Sequence, residues 1–312
     1  MPFATKKAAW SAGPAAIPNA EKYRLRRLKN LKYFVIDAPN FNLAHTLECG
    51  QVFRWTRIKK NEYEGIVNRS IIRARQEKNR LFICSSDPHI TPSFIRAYFD
   101  LTLDLPYIYN KIGKDKHIVY AIKAFKGLRI IKQPQWECLA SFIISAYNNI
   151  PRIKGIIYRI CRCSGKRLVS GASLNYSFPS PQLIANSTVN QLRRCGTGFR
   201  ASYLKKAAKA LLNGRISAEW LKKAPYPKAK EVLVRIDGVG QKVADCVLLY
   251  SAGRLEAFPV DVWIKRIMQD TYFDGKETSE NKIRAFAAEY FGEYAGYAQQ
   301  YLYHYERTKK VK

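Results

Sequence analysis

A chain of 312 residues, 47% hydrophobic and 13% aromatic, carries enough apolar material for a sizeable core, which excludes a disordered tail and fits one large or two fused domains. Lysine and arginine outnumber aspartate and glutamate 54 to 24, giving a formal charge of +30 spread along the whole length. A surface this basic points to a polyanion, nucleic acid ahead of membrane, with simple solubility as the plain alternative.

Seven cysteines (Cys49, Cys84, Cys138, Cys161, Cys163, Cys195 and Cys246) are an odd number with no CxxC pair. They read as reduced thiols of an intracellular protein rather than as disulfides or metal ligands. No apolar run reaches the length of a membrane span.

Residues 1–32 lack the hydrophobic core of a secretory signal and read as a flexible basic extension, with a transit peptide as the alternative. From Tyr33 to about Ser86, the runs YFVI, QVFRWTRI, YEGIV, SIIRAR and RLFICSS are separated by turn-forming stretches such as APN and KKNE. They predict a small antiparallel sheet. After SDPHITP the apolar period becomes helical, in SFIRAYFDL, HIVYAIKAF and WECLASFIISAYNN, and helices dominate to the end. The Ser/Gly/Pro-rich stretch 164–182 predicts a long surface loop.

Two helices with a glycine turn between them stand out near the end. AKEVLVRI places Val232, Leu233 and Ile236 inward; after DGVG, Val243, Val247 and Tyr250 recur at the spacing of one buried face. Gly238 and Gly240 permit positive φ and leave amides open at the start of the second helix, which suits a phosphate. A plain helix connection is the alternative.

Lys242 lies in the first turn of that helix, where a cation opposes the helix dipole. Spacing alone favours a salt bridge to Asp245 at i+3 over catalysis. Asp261, before VWIKRIMQ, reads as an N-cap worth about 1 kcal/mol. A carboxylate near an amine is also the minimum equipment for Schiff-base chemistry at a sugar carbon.

The run IDGVGQKVADCVLLYSAGRLEAFPVDVW resembles the hairpin, catalytic lysine and catalytic aspartate of the helix-hairpin-helix (HhH-GPD) DNA glycosylases, and among them the 8-oxoguanine DNA glycosylases; Lys242 and Asp261 are 19 residues apart. CGQVFRW (49–55), ECLASFIISAYNNIPRI (137–153), GTGFRASYL (196–204) and YAGYAQQYLYH (294–304) match in family order, across about residues 33–305. The resemblance implies an α+β fold: a small antiparallel β-rich N-terminal domain with trailing helices (33–125), a mostly α-helical body with the helix-hairpin-helix (126–305), and a basic tail (306–312).

It further implies a bifunctional base-excision enzyme that acts on double-stranded DNA containing 8-oxoguanine and flips the damaged nucleotide out of the stack. Lys242 is the implied nucleophile at the deoxyribose C1′, forming a Schiff base that permits β-elimination, and Asp261 supports the positive charge growing on the sugar. The Gly50 carbonyl accepts the N7–H that distinguishes 8-oxoguanine from guanine; Gln299 and Tyr303, four apart on a helix, hydrogen-bond and stack on the base; Cys246 packs against it. Phe199 wedges into the gap, Arg200 with Arg152 meets the orphaned cytosine, and Asn148 and Asn149 reach the estranged base. Gly238 and Gly240 hook a phosphate, and the carbonyls of Val234, Ile236 and Val239 hold a structural monovalent or divalent cation.

No cofactor is required, and an iron-sulfur branch of the superfamily is excluded because no cysteine follows Cys246. A monomer working intracellularly on DNA, in the nucleoid or the nucleus, with no membrane partner, is the expected setting. Read without the family, Gly50 is a turn glycine, Gln299 and Tyr303 belong to an amphipathic helix, Cys246 is a small buried hydrophobe, Phe199 is core, and the arginines are phosphate contacts.

Three positions depart from the family pattern. Tyr147 stands where animal enzymes have an asparagine facing the orphaned cytosine, which argues against strict cytosine preference; Trp263 replaces a histidine; Asp237 replaces a hairpin proline. The competing functions are excision of another damaged purine and non-catalytic DNA binding through the hairpin.

Overall fold

The computed structural model describes residues 32–170, 173–214 and 216–309. Of the basic extension expected over residues 1–32, all but Lys32 lies outside the described residues.

Five strands, β1 (Lys32–Asp37), β2 (Trp55–Lys59), β3 (Glu62–Val67), β4 (Ser70–Glu77) and β5 (Arg80–Ser85), pair antiparallel in the order β1-β5-β4-β3-β2. Asn61 and Asn68 make the reversals on either side of β3 with φ of 60° and 55°, a left-handed conformation that asparagine tolerates. Alternation then fixes the inner face: Tyr63, Ile72, Ala74, Leu81 and Ile83 are buried, and helices α1 (Leu43–Glu48) and α2 (Pro92–Tyr98) cover them. Trp55 Nε1 donates to Tyr98 Oη at 2.9 Å across this small core.

The rest is the helical body: α3 (Leu105–Ile112), α4 (Lys116–Ala124), α5 (Gln135–Ser145), α6 (Ile150–Ser164), α7 (Pro181–Asn186), α8 (Val189–Arg194), α9 (Arg200–Leu212), α10 (Ala218–Lys223), α11 (Tyr226–Val234), α12 (Gln241–Tyr250), α13 (Val262–Tyr272), α14 (Glu280–Phe291) and α15 (Ala295–Lys309). The α+β architecture expected from the sequence is therefore the one observed. Among the described residues no helix is long and apolar enough to cross a membrane.

Two helices run through the centre. Residues Cys138–Ile144 of α5 and Val243–Tyr250 of α12 are all buried, and Phe142 stacks on Tyr250 at 5.3 Å between ring centroids. The periodicity of α12 predicts one buried face, but the helix is enclosed on every side beyond its first turn. Asp245 tolerates this because Lys230 (2.8 Å), Arg284 (3.0 Å) and the Tyr226 hydroxyl (2.5 Å) satisfy its carboxylate.

The long loop expected over 164–182 holds a two-stranded hairpin, β6 (Arg167–Ser170) and β7 (Ser173–Tyr176), with Arg167 opposite Tyr176. Its composition signals turns, but LVS and SLNY are short extended runs that satisfy each other's backbone groups. Residues 306–309, expected within a basic tail, are the last turn of α15.

Gln51, fully buried, joins the two regions. Its Nε2 donates to the carbonyls of Thr46 (2.9 Å) and Arg129 (2.8 Å), and its Oε1 accepts from Ile131 N–H (2.8 Å). The turn carrying Gly50 is thereby pinned to the segment of Arg129 and Ile131 that leads toward α5.

Candidate active site

Lys242 is the second residue of α12, after the turn whose N-cap is Gly240. Its Nζ donates to Ser145 Oγ at 2.9 Å and lies 5.2 Å from the Phe142 ring centroid. Among the described residues it forms no salt bridge: the i+3 partner suggested by spacing, Asp245, is taken by Lys230 and Arg284. The amine is held by a neutral hydroxyl and an aromatic face, an arrangement that orients it without clamping it to an anion.

Asp261 caps α13, its Oδ1 accepting from Ile264 N–H at 2.8 Å. Burial raises its carboxyl above the usual carboxylate range, partly offset by the helix amides and by Lys242. Cys246, one turn past Lys242, is buried, which pushes its thiol up to about 12 and keeps it protonated.

These three groups face a cavity of about 590 Å³ whose wall also includes Gly50, Gln299, Tyr303, Asn148 and Asn149. Gly50 has φ 91°, and a Cβ there would lie 3.3 Å from each of Tyr303 Cε1, Ile150 Cδ1 and Arg307 Nη1. Both the backbone region and the close walls favour glycine. The preceding carbonyl, of Cys49, accepts from Gln300 Nε2 (3.0 Å), whose Oε1 in turn accepts from Tyr250 (2.5 Å). Gln299 is buried, and its Oε1 has no hydrogen-bond partner among the described residues.

The other expected residues lie outside this wall. Phe199 is 53% exposed beside Arg200. Arg200 is itself buried, and its guanidinium donates to the carbonyls of Ala146, Tyr147 and Thr197. It thus braces two loops to each other rather than presenting a free fork to a base. Arg152 sits in the first turn of α6, its backbone N–H capped by Asn149 Oδ1 at 3.0 Å. Tyr147 is 93% exposed at φ 49°.

In the hairpin, Gly238 has φ 85°, and a Cβ there would fall 2.2 Å from Tyr203 Cγ, so only glycine fits. Gly240 has open space around it. Ile236 O accepts from Val239 N–H at 2.9 Å and keeps a second lone pair. The Asp237 carboxylate is paired with Lys206, which offsets its charge near the turn.

Ser145, Phe142 and Arg307 belong to the site but were not anticipated. Arg307 had a legible signal, since 299, 303 and 307 share one helical face. Its Nη2 lies 3.3 Å from Nδ1 of buried His304, whose pKa is lowered to about 3, first by burial and then by Arg307 and His45. An unfolded histidine titrates near 6.5, so the stability gained from keeping this ring neutral is complete above that pH and is lost as pH falls toward 3. Stability should therefore fall by about 1.4 kcal/mol per pH unit below 6.5 from this group. His304→Gln should flatten that slope in melts recorded from pH 7 to pH 4; an unchanged slope would contradict the assignment.

Comparison with known proteins extends this picture. Residues 33–139 match the family model described as 8-oxoguanine DNA glycosylase, N-terminal domain, and residues 140–293 match that of the HhH-GPD superfamily base excision DNA repair proteins. A probable N-glycosylase/DNA lyase of Methanothermobacter thermautotrophicus is 32% identical over 87% of this chain and 95% of its own length. The N-glycosylase/DNA lyase of Saccharomyces cerevisiae is 30% identical over 86% and 84%. The crystal structure of Clostridium acetobutylicum 8-oxoguanine glycosylase/lyase, in complex with duplex DNA containing cytosine opposite 8-oxoguanine, superposes with a TM-score of 0.83 at 35% identity, covering 87% of this chain and 93% of that one. The chain belongs to the 8-oxoguanine DNA glycosylase family of the HhH-GPD superfamily.

Proposed function

We propose that this protein excises 8-oxoguanine from duplex DNA and then cleaves the strand at the resulting abasic site. The observation that carries the reading is the convergence of Lys242, which forms no salt bridge among the described residues, with Asp261 and the groups of Gly50, Gln299 and Tyr303 on one cavity.

Lys242 Nζ attacks C1′ of the flipped nucleotide, the bond from C1′ to N9 breaks, and the base departs with the bonding electrons and takes up a proton. The amine gives up one proton, the C1′–O4′ bond breaks with O4′ taking up a proton as a hydroxyl, and the protonated Schiff base C1′=NH⁺ to Lys242 forms. Removal of a C2′ proton then expels the 3′ phosphate, and water releases the lysine. Asp261 lowers the energy of the cationic sugar that develops in the first step. Cys246, as a thiol, packs against the base.

Gln299 Oε1 accepts from the N–H groups on the Watson-Crick edge of the base. This pairing relieves a buried acceptor whose isolation costs about 1–3 kcal/mol. The Gly50 carbonyl accepts N7–H and Tyr303 stacks. Guanine offers a lone pair at N7, which faces the Gly50 oxygen unfavourably. Phe199 fills the vacated stack, with Arg152, Asn148 and Asn149 on the side of the orphaned base.

The open amides at Gly238 and Gly240 take a DNA phosphate. The carbonyls of Val234, Ile236 and Val239 are assigned to a structural monovalent or divalent cation, consistent with the spare lone pair on Ile236 O. The protein works as a monomer on chromosomal DNA.

Exposed Tyr147 carries no fixed donor-acceptor pattern to match against cytosine, so excision should tolerate each opposite base. Rates on 8-oxoguanine opposite A, C, G and T should spread by less than about tenfold, whereas a guanine control should be slower by on the order of 10² or more. Another damaged purine preferred over 8-oxoguanine would overturn the substrate assignment. A cytosine preference of about 100-fold or more would overturn the role given to Tyr147.

A further inference from the structure

Arg307 occupies a place on the cavity wall that none of the assigned roles uses. It lies one turn past Tyr303 on α15, and its guanidinium sits over the Tyr303 ring at 5.6 Å from the centroid. Nη2 donates to the carbonyl of Glu48, the last residue of α1, where the negative end of the helix dipole favours a cation. Nη1 lies 3.3 Å from the position a Gly50 Cβ would take. One side chain therefore ties the turn that presents the Gly50 carbonyl to the aromatic plate opposite it.

We propose that Arg307 is a positioning residue that sets the width of the base slot, and with it the discrimination between 8-oxoguanine and guanine. This inference rests on the proposed function. The two bases differ where they meet Gly50: an N7–H attracts the carbonyl oxygen, and an N7 lone pair repels it. Repulsion discriminates only if the turn cannot retreat, because a carbonyl free to shift by a fraction of an ångström relieves it. Gln300 and Gln51 anchor the turn from the core side. Arg307 anchors it from the α15 side through its hydrogen bond to the Glu48 carbonyl, while its guanidinium packs over the ring that stacks on the base. Its planar fork suits two simultaneous tasks, hydrogen bonding and stacking, that an ammonium group cannot combine.

The test compares the full-length protein with Arg307→Ala and Arg307→Lys, using single-turnover excision on 8-oxoguanine and guanine duplexes and borohydride trapping on a duplex with a preformed abasic site. The abasic reaction needs Lys242 but no base in the slot. Arg307→Ala should slow 8-oxoguanine excision by about tenfold or more and narrow the 8-oxoguanine to guanine ratio, while trapping at the abasic site stays within about threefold. Arg307→Lys should restore less than half of the lost ratio. Equal losses on both substrates, full rescue by lysine, or an unchanged ratio would each overturn the inference. If the unsubstituted protein traps on abasic DNA but excises no 8-oxoguanine, the substrate assignment fails instead, a result distinct from any defect confined to the variants.

Discussion

Lys242→Gln should reduce release of 8-oxoguanine by on the order of 10³-fold or more while leaving duplex binding within a few-fold. The expectation follows from what the side chain touches. Among the described residues its Nζ has one hydrogen bond, to Ser145 Oγ, and a contact with the Phe142 face. A glutamine amide can also donate to Ser145, so the fold loses no buried ion pair, and melting should stay within about 1 kcal/mol of the parent. Only the nucleophilic lone pair disappears. A variant that retained substantial excision would require another nucleophile, and the cavity wall among the described residues offers no second lysine.

Asp261→Asn should slow excision by about 10²–10³-fold without a matching loss of stability. Asparagine caps a helix as well as aspartate does, so the bond to Ile264 N–H survives and the substitution isolates the charge from the structural task. The pH dependence gives a second reading. Burial raises the Asp261 carboxyl above the usual range, so the folded protein binds that proton more readily than the unfolded chain. Ionised Asp261 therefore opposes folding at pH values above its raised pKa, and Asp261→Asn should melt at or slightly above the parent temperature near pH 7. Activity of the parent should fall as pH drops through the raised pKa, and the asparagine variant should lack that acid limb. A variant that is inactive because it melts early would instead reduce Asp261 to its capping role.

Much of the site can be read in the sequence because its chemistry sits in short, distinctive runs. DGVGQK, FPVDVW and ECGQVF stand out because together, in order, they resemble the family's motifs; taken singly, Lys242, Asp261 and Gly50 each have a plain local reading, and the structure places the three around one cavity. The sheet was legible for a related reason: alternation and asparagine turns are local signals. What escaped depends on tertiary competition. Lys242 and Asp245 satisfy the i, i+3 rule, yet Lys230, 15 residues before Asp245, and Arg284, 39 residues after it, meet its carboxylate inside the core. Ser145, 97 residues before Lys242, has no sequence signal linking it to the amine. Arg200 resembles a free contact residue until its three carbonyl partners are seen. Arg307 falls in the stretch 306–312 that reads as a basic tail, yet the helical spacing from Gln299 through Tyr303 continues to it.

Excision by this route requires Lys242 to form a covalent bond with the sugar of the damaged nucleotide. Incubating the protein with an 8-oxoguanine duplex and borohydride, then mapping the trapped peptide by mass spectrometry, tests it directly. One DNA adduct should form, located on Lys242 and lost in Lys242→Gln. No adduct, or an adduct on a different amine, would contradict it.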